Sequence, residues 1–219
     1  MGRWKHLLLT LGMIILAFYY LGRLFGHVST VEFISNVFLL GFLIKITESN
    51  IRSYLIEDKW TFPLMGLGIL VNILIAVGLQ ENILQRILSS VGGLVLAGGC
   101  LYILATLAEH IIKKECVGGG DIKLTAAVGA FVGTYVIWII PVRIIVLIIS
   151  FLIYGLIALL KKKKMAQSMP TVFIHFVSLI ILLSIQNKLL DPLIIILGLL
   201  VLFMGSYCLV DNQSDEKTA

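Results

Sequence analysis

The sequence predicts an all-α, polytopic membrane bundle of about eight transmembrane helices. Composition points there first: of 219 residues, 59% are hydrophobic and only 13% charged. The mean hydropathy of +1.06 lies far above that of ordinary soluble domains. Apolar runs near the ~20 residues needed to cross hydrocarbon then recur along the whole chain. They leave no stretch for a separate soluble domain, so residues 1–210 read as a single transmembrane domain and 211–219 as a frayed polar tail.

The first run, Leu7 to Phe25, follows Arg3, Lys5 and His6. It is longer than a signal-peptide core and no small-residue cleavage site follows it, so it reads as a span. The second and third are Val31 to Thr47 and Phe62 to Leu79. The fourth, Ile83 to Ile112, is long enough to tilt or to project, with Glu109 and His110 at the projecting end. Only Pro141 divides the fifth, Ile122 to Ile140, from the sixth, Val142 to Leu160, so a tight turn is expected there. Thr171 to Gln186 and Leu189 to Val210 complete the set.

Alternating the sides of these spans gathers Arg3, Lys5, Lys45, Arg52, Lys59, Lys113, Lys114, Lys123, Lys161 to Lys164 and Lys217 on one face. Arg23, Arg86, Arg143 and Lys188 fall on the other. The rich face is the cytoplasmic one by the positive-inside rule. Anionic lipid headgroups beside the lysine run account for the net charge of +5, and no nucleic acid is needed to explain it.

The cysteines, Cys100, Cys116 and Cys208, form no C-x-x-C pair and imply neither zinc nor a disulfide framework. Cys100 and Cys208 read as small apolar side chains, and Cys116 has no nearby histidine to make it a nucleophile. His6, His27, His110 and His175 show no metal-ligand spacing, so no metal and no cofactor are expected. Span five carries a stripe of small residues, Ala126, Gly129, Ala130 and Gly133. Span four carries Gly92, Gly93, Gly98 and Gly99; such helices pack closely.

One ionisable group stands apart. Gly118, Gly119 and Gly120 lead into Asp121 at the mouth of an apolar helix. A carboxylate at the bilayer edge is expensive, and a glycine-rich approach suits chemistry or ligand contact. The plainer reading is a helix cap, since an aspartate at a helix start accepts backbone N–H bonds.

The segment Val117-Gly118-Gly119-Gly120-Asp121-Ile122-Lys123-Leu124, with Ala126, Ala127, Gly129 and Ala130 after it, resembles the G-x-G-D motif of type IV prepilin peptidases. These are intramembrane aspartyl proteases of the prokaryotic cytoplasmic membrane. The frame Asn50-Ile51-Arg52-Ser53-Tyr54-Leu55-Ile56-Glu57-Asp58, then Trp60-Thr61-Phe62-Pro63-Leu64, resembles the family's other aspartate motif, with Glu57 where proline is common. Pro170 is similar to a proline that opens a later span. Presenilin-like proteases share G-x-G-D, but their proline-alanine-leucine signature is absent.

The resemblance implies an aspartic endopeptidase that removes the basic leader of prepilin or pseudopilin substrates, with its site facing the cytoplasm. Asp121 and the residue at position 50 would form the catalytic pair. Gly118, Gly119 and Gly120 would admit an extended backbone. Lys123 would pair with a carboxylate or with lipid phosphates, while Glu48, Glu57, Asp58 and Glu115 would steer the leader electrostatically. The paired cysteines and the N-terminal methylating region of larger family members are not seen, so the resemblance is to the peptidase-only form, without an S-adenosylmethionine site.

Position 50 departs from the pattern. An aspartyl protease needs two carboxylates sharing one proton. Asparagine has nearly the same shape but exchanges no proton near neutral pH. The expected consequence is a chain that binds substrate without cutting it. An engineered Asp→Asn change, a natural pseudo-protease, or a shifted register in which Asp58 partners Asp121 would each account for Asn50. A non-enzymatic binding protein or a transporter with Asp121 in an ion path is the alternative from another class.

Overall fold

The computed structural model describes residues 3–53, 55–113, 117–161 and 172–212. Lys114, Glu115, Cys116, Lys162 to Lys164, Pro170 and the chain beyond Asn212 lie outside the described residues, as do the side chains of Arg3, Lys5, His6, Arg52 and Cys208. Among the described residues there are eight α-helices and no strand: α1 (Arg3–Leu24), α2 (Thr30–Ser53), α3 (Asp58–Gly78), α4 (Ile83–Ile112), α5 (Gly119–Val132), α6 (Ile139–Leu160), α7 (Val172–Gln186) and α8 (Pro192–Asn212). Six helical segments, one of them α5 taken together with the residues up to Trp138, are long and apolar enough to cross a membrane. The protein is a polytopic helical bundle.

The helix starts follow the local chemistry. At α2, Ser29 Oγ accepts from Glu32 N (3.3 Å) while Glu32 Oε2 accepts from Ser29 N (3.0 Å), a reciprocal capping box. Asn82 Oδ1 caps α4 by accepting from Gln85 N. Asp191 precedes Pro192 and accepts from Ile194 N at 2.9 Å. That backbone N–H, above all, holds the Asp191 carboxyl below the usual carboxylate range, and Tyr19 adds a hydrogen bond of 2.8 Å from α1. The far end of α4 closes on Lys113 in the left-handed conformation (φ 57°).

Two boundaries differ from the sequence expectation. Span five does not turn at Pro141. The α-helix ends at Gly133, whose φ of +69° and close neighbour Ser89 admit only glycine comfortably, and a 3₁₀ segment (Gly133–Trp138) carries the chain into α6. Pro141 sits in the first turn of α6, where a missing N–H costs nothing. Asn50, expected just beyond span two, lies within α2, which runs on to Ser53.

Packing is unequal around the bundle. Helix α7 is almost wholly enclosed, with Phe173, His175, Phe176, Leu179 and Ile180 all at most 1% exposed. Its 15 residues are shorter than the ~20 that span hydrocarbon, which suits an interior strut better than a lipid-facing span. By contrast, α3, α4 and α6 leave Leu70, Leu74, Val95, Ile103, Leu152 and Leu156 exposed. An apolar exterior of this extent suits lipid rather than water.

The small-residue stripes on spans four and five meet each other. A Cβ on Gly93 would lie 2.3 Å from Gly129 O and 2.4 Å from Gly133 O, and one on Gly98 would lie 2.8 Å from Ala126 Cβ. The α4 and α5 backbones are therefore in direct contact. Asn72 of α3 clamps the same region, its Nδ2 donating to Ala130 O (2.9 Å) and Phe131 O (3.1 Å).

Gly93→Ala is therefore expected to destabilise the bundle by roughly 1–3 kcal/mol, because backbone rather than a flexible side chain must yield. Gly99→Ala, where nothing lies within 4 Å of the added carbon, is the matched control. Thermal unfolding in detergent reads the difference, and equal melting temperatures for the two variants would refute the close approach.

Candidate functional site

The glycine run and Asp121 form the start of α5. Gly118 is the residue before the helix, with extended backbone (φ −65°, ψ 143°), and Gly119 and Gly120 are already helical. Asp121 is the third residue of α5, in its first turn, and Gly118 occupies the N-cap position itself. Its own N–H donates to Gly118 O at 3.0 Å.

The three glycines have different environments. Gly120 is a packing position: a Cβ there would sit 2.8 Å from Cβ of Ile56, in the connection between α2 and α3. Gly118 and Gly119 are exposed, and a Cβ on Gly119 would meet nothing within 4 Å. On Gly118 the nearest atom would be Asp121 Oδ2, at 3.8 Å. One carboxylate oxygen thus lies beside the exposed approach to the helix.

The other oxygen points inward. Asp121 Oδ1 lies 3.5 Å from Nε2 of His175, a side chain only 1% exposed on α7. The separation is long for a hydrogen bond, and Nε2 makes no other. One turn along α5, Thr125 Oγ1 donates to Asp121 O at 2.7 Å and accepts from Arg143 Nη1 at 3.1 Å. Arg143 is 8% exposed. Its guanidinium interacts electrostatically with both Asp121 and His175.

Arg143 corrects the charge count made from the sequence. Alternation of the spans places it on the lysine-poor face; in the structure it is the fifth residue of α6 and its side chain is buried inside the bundle. A guanidinium buried in this way is tolerable only when charge and hydrogen bonds compensate its lost hydration, which Asp121 and Thr125 do.

Lys123 and Asp58 also meet. Lys123 Nζ lies 2.7 Å and 2.9 Å from the two Asp58 oxygens, joining the start of α5 to the start of α3. Glu57, the residue before α3, pairs with Lys59. Asn50 is 5% exposed, three positions before the last residue of α2, and its Oδ1 accepts no hydrogen bond. The Ile56–Gly120 contact and the Asp58–Lys123 pair bring the connection that follows Asn50 against the helix start that carries Asp121.

Chemically, Asp121 offers a carboxylate with one oxygen beside an exposed loop and one held in a buried polar pocket. It can accept a proton from water or donate one to a departing amine. Sequence reasoning missed His175, Arg143 and Thr125. The available signal was their position: His175 and Arg143 are ionisable groups inside apolar runs, which is itself a mark of function in a membrane helix. Among the described residues no group of three or more His, Cys, Asp or Glu side chains is arranged to hold a metal ion.

Residues 37–159, more than half of the chain, match the family model described as the type IV leader peptidase family. Among curated proteins, the chain is 30% identical over 95 residues to a prepilin leader peptidase/N-methyltransferase from Pectobacterium carotovorum subsp. carotovorum, covering 43% of this chain and 32% of that protein. It is 29% identical over 100 residues to the protein of that name from Neisseria gonorrhoeae (46% and 32%). For the one from Xanthomonas campestris pv. campestris it is 32% identical over 92 residues (42% and 30%). The match spans about a third of the length of these relatives. No solved structure matches.

The Lys123–Asp58 pair is substantially exposed, at 41% and 54% of the side chains, so its worth is small. A double-mutant cycle with Lys123→Ala and Asp58→Ala should return a coupling of about 0.5 kcal/mol that falls with added salt. A salt-independent coupling above about 2 kcal/mol would show a desolvated clamp instead.

Proposed function

The chain belongs to the type IV leader peptidase family, and from that membership we propose that it engages prepilin-like proteins at the cytoplasmic surface of the membrane. In this reading the bond between the basic leader and the apolar helix of the substrate is presented to Asp121. The observation that carries the reading is the split environment of that carboxylate: Oδ1 faces buried His175, while Oδ2 lies beside exposed Gly118.

Position 50 is the second member of the pair. Its burial and unpartnered oxygen fit a group whose hydrogen-bonding partner arrives with substrate or water. With a carboxylic acid there, one member would take a proton from the attacking water while the other polarised the scissile carbonyl. With asparagine the amide still donates a hydrogen bond but supplies no proton. The chain as written therefore binds a prepilin and leaves it uncut.

Exposed Gly118 and Gly119 give an extended substrate backbone room beside the carboxylate. Glu48, Glu57 and Asp58 lie towards the same end of the bundle and favour a basic leader, although Asp58 already shares its charge with Lys123. Lys45, Lys59, Lys113 and Lys161 also cluster at that end, which supports a cytoplasmic orientation. The apolar exterior makes membrane lipid the surrounding partner.

Asn50→Asp should convert the protein into a leader peptidase, while Asn50→Asp combined with Asp121→Ala should stay silent. Cleavage of a prepilin in membranes, read by the mobility of the product, checks both. The unaltered chain should retain uncut prepilin through detergent purification. Inertness of Asn50→Asp on several prepilins, with binding retained, would leave a binding protein rather than a peptidase.

A further inference from the structure

His175 belongs to no motif noted in the sequence, yet it occupies the most enclosed helix of the bundle and touches the one carboxylate on which the proposed chemistry depends. A polar side chain at 1% exposure inside an apolar helix is unfavourable unless it is paired, and Nε2 faces the Asp121 oxygen 3.5 Å away. Packing alone would be served better by leucine or phenylalanine, the residue types that surround it on α7. The group it faces explains its presence.

We propose that His175 is a positioning residue for Asp121: from the rigid core of α7 it holds Oδ1, while buried Arg143 supplies the compensating charge, so that Oδ2 is fixed towards the Gly118 approach. This rests on the reading of Asp121 as the reacting carboxylate. His175 does not touch substrate, and it acts through the orientation and charge state of its neighbour. Carboxylate orientation matters because a side chain rotated away from attacking water loses the advantage of preorganisation. Thr125 completes the arrangement by tying the Arg143 guanidinium to the backbone of Asp121, so α5, α6 and α7 are joined at one point.

Arg143 and His175 share this work unequally. Arg143 offers a positive charge that attracts the carboxylate at a distance. His175 offers a directed N–H on a ring that packing holds still. Charge alone does not choose which oxygen faces inward; a ring fixed beside Oδ1 favours one arrangement.

The test uses a hydrophobic carbodiimide, dicyclohexylcarbodiimide, on the detergent-solubilised full chain at pH 7, with adduct at Asp121 read by peptide mass spectrometry and Asp121→Asn as the blank. Addition requires a carboxyl proton and an accessible oxygen, so the extent of labelling reports how the Asp121 carboxyl is held. His175→Ala, which removes the ring beside Oδ1, should raise labelling about tenfold. His175→Gln, which keeps an N–H donor at similar reach, should stay within about twofold of the parent.

Ser178→Ala, on the same buried helix and bonded only to Ile174 O, controls for loosened packing and should leave labelling unchanged. If Ala and Gln at 175 behave alike, if neither alters labelling, or if Ser178→Ala matches His175→Ala, the proposal is overturned. In an Asn50→Asp background that cleaves prepilin, His175→Ala should cut kcat about tenfold and leave KM within about twofold; an unchanged kcat would overturn it equally. Should Asn50→Asp fail to cleave, the peptidase reading fails, while the labelling still decides the role of His175.

Discussion

At Gly93 and Gly129 there is room for hydrogen only: a Cβ on either would lie 2.3 Å from the other's carbonyl oxygen. In a bilayer, where lipid is as apolar as any side chain, backbone proximity of this kind supplies packing that the hydrophobic effect does not. It draws α5 into the bundle, and the residues from Leu124 to Ala130 are buried without interruption. Once α5 is an interior helix, its first turn must lie against other helices. The carboxylate of Asp121 is then set beside α7, and it must be balanced by the protein.

The balance is made from several elements. Arg143 comes from α6, His175 from α7, and Thr125 from the next turn of α5 itself. Taken singly, none would be stable where it is, since an unpaired guanidinium in the bundle costs far more than one hydrogen bond returns. Together they place opposite charges near each other and give the carboxylate distinct inner and outer oxygens. The exposed Lys123–Asp58 pair adds little energy, but with the Ile56–Gly120 contact it fixes the connection after α2 against the start of α5.

These relations bear on how one asparagine changes the chemistry. Asn50 keeps the shape of an aspartate, so the fold accepts it; what is lost is an exchangeable proton. Asp121 stands on α5 with one oxygen 3.5 Å from His175 of α7. Membership of the type IV leader peptidase family is what gives the neutral residue at position 50 its interest.

The sequence by itself determined the membrane class, the order of the helices, the acidic residue at the start of α5 and the neutral one at position 50. Each of these is carried by local composition or by a short motif, and neither depends on how helices rotate. Hydropathy also brought span lengths close, yet it put the break at Pro141, because proline signals a turn equally well in the first turn of a helix. Only the tertiary structure moved that break to Gly133, drew Lys123 to Asp58 and brought His175 and Arg143 to Asp121. A helix that is apolar all round carries no phase to say which face turns inward. Which buried polar group meets which is therefore decided by packing between segments far apart in the chain, a quantity that a single sequence does not write down.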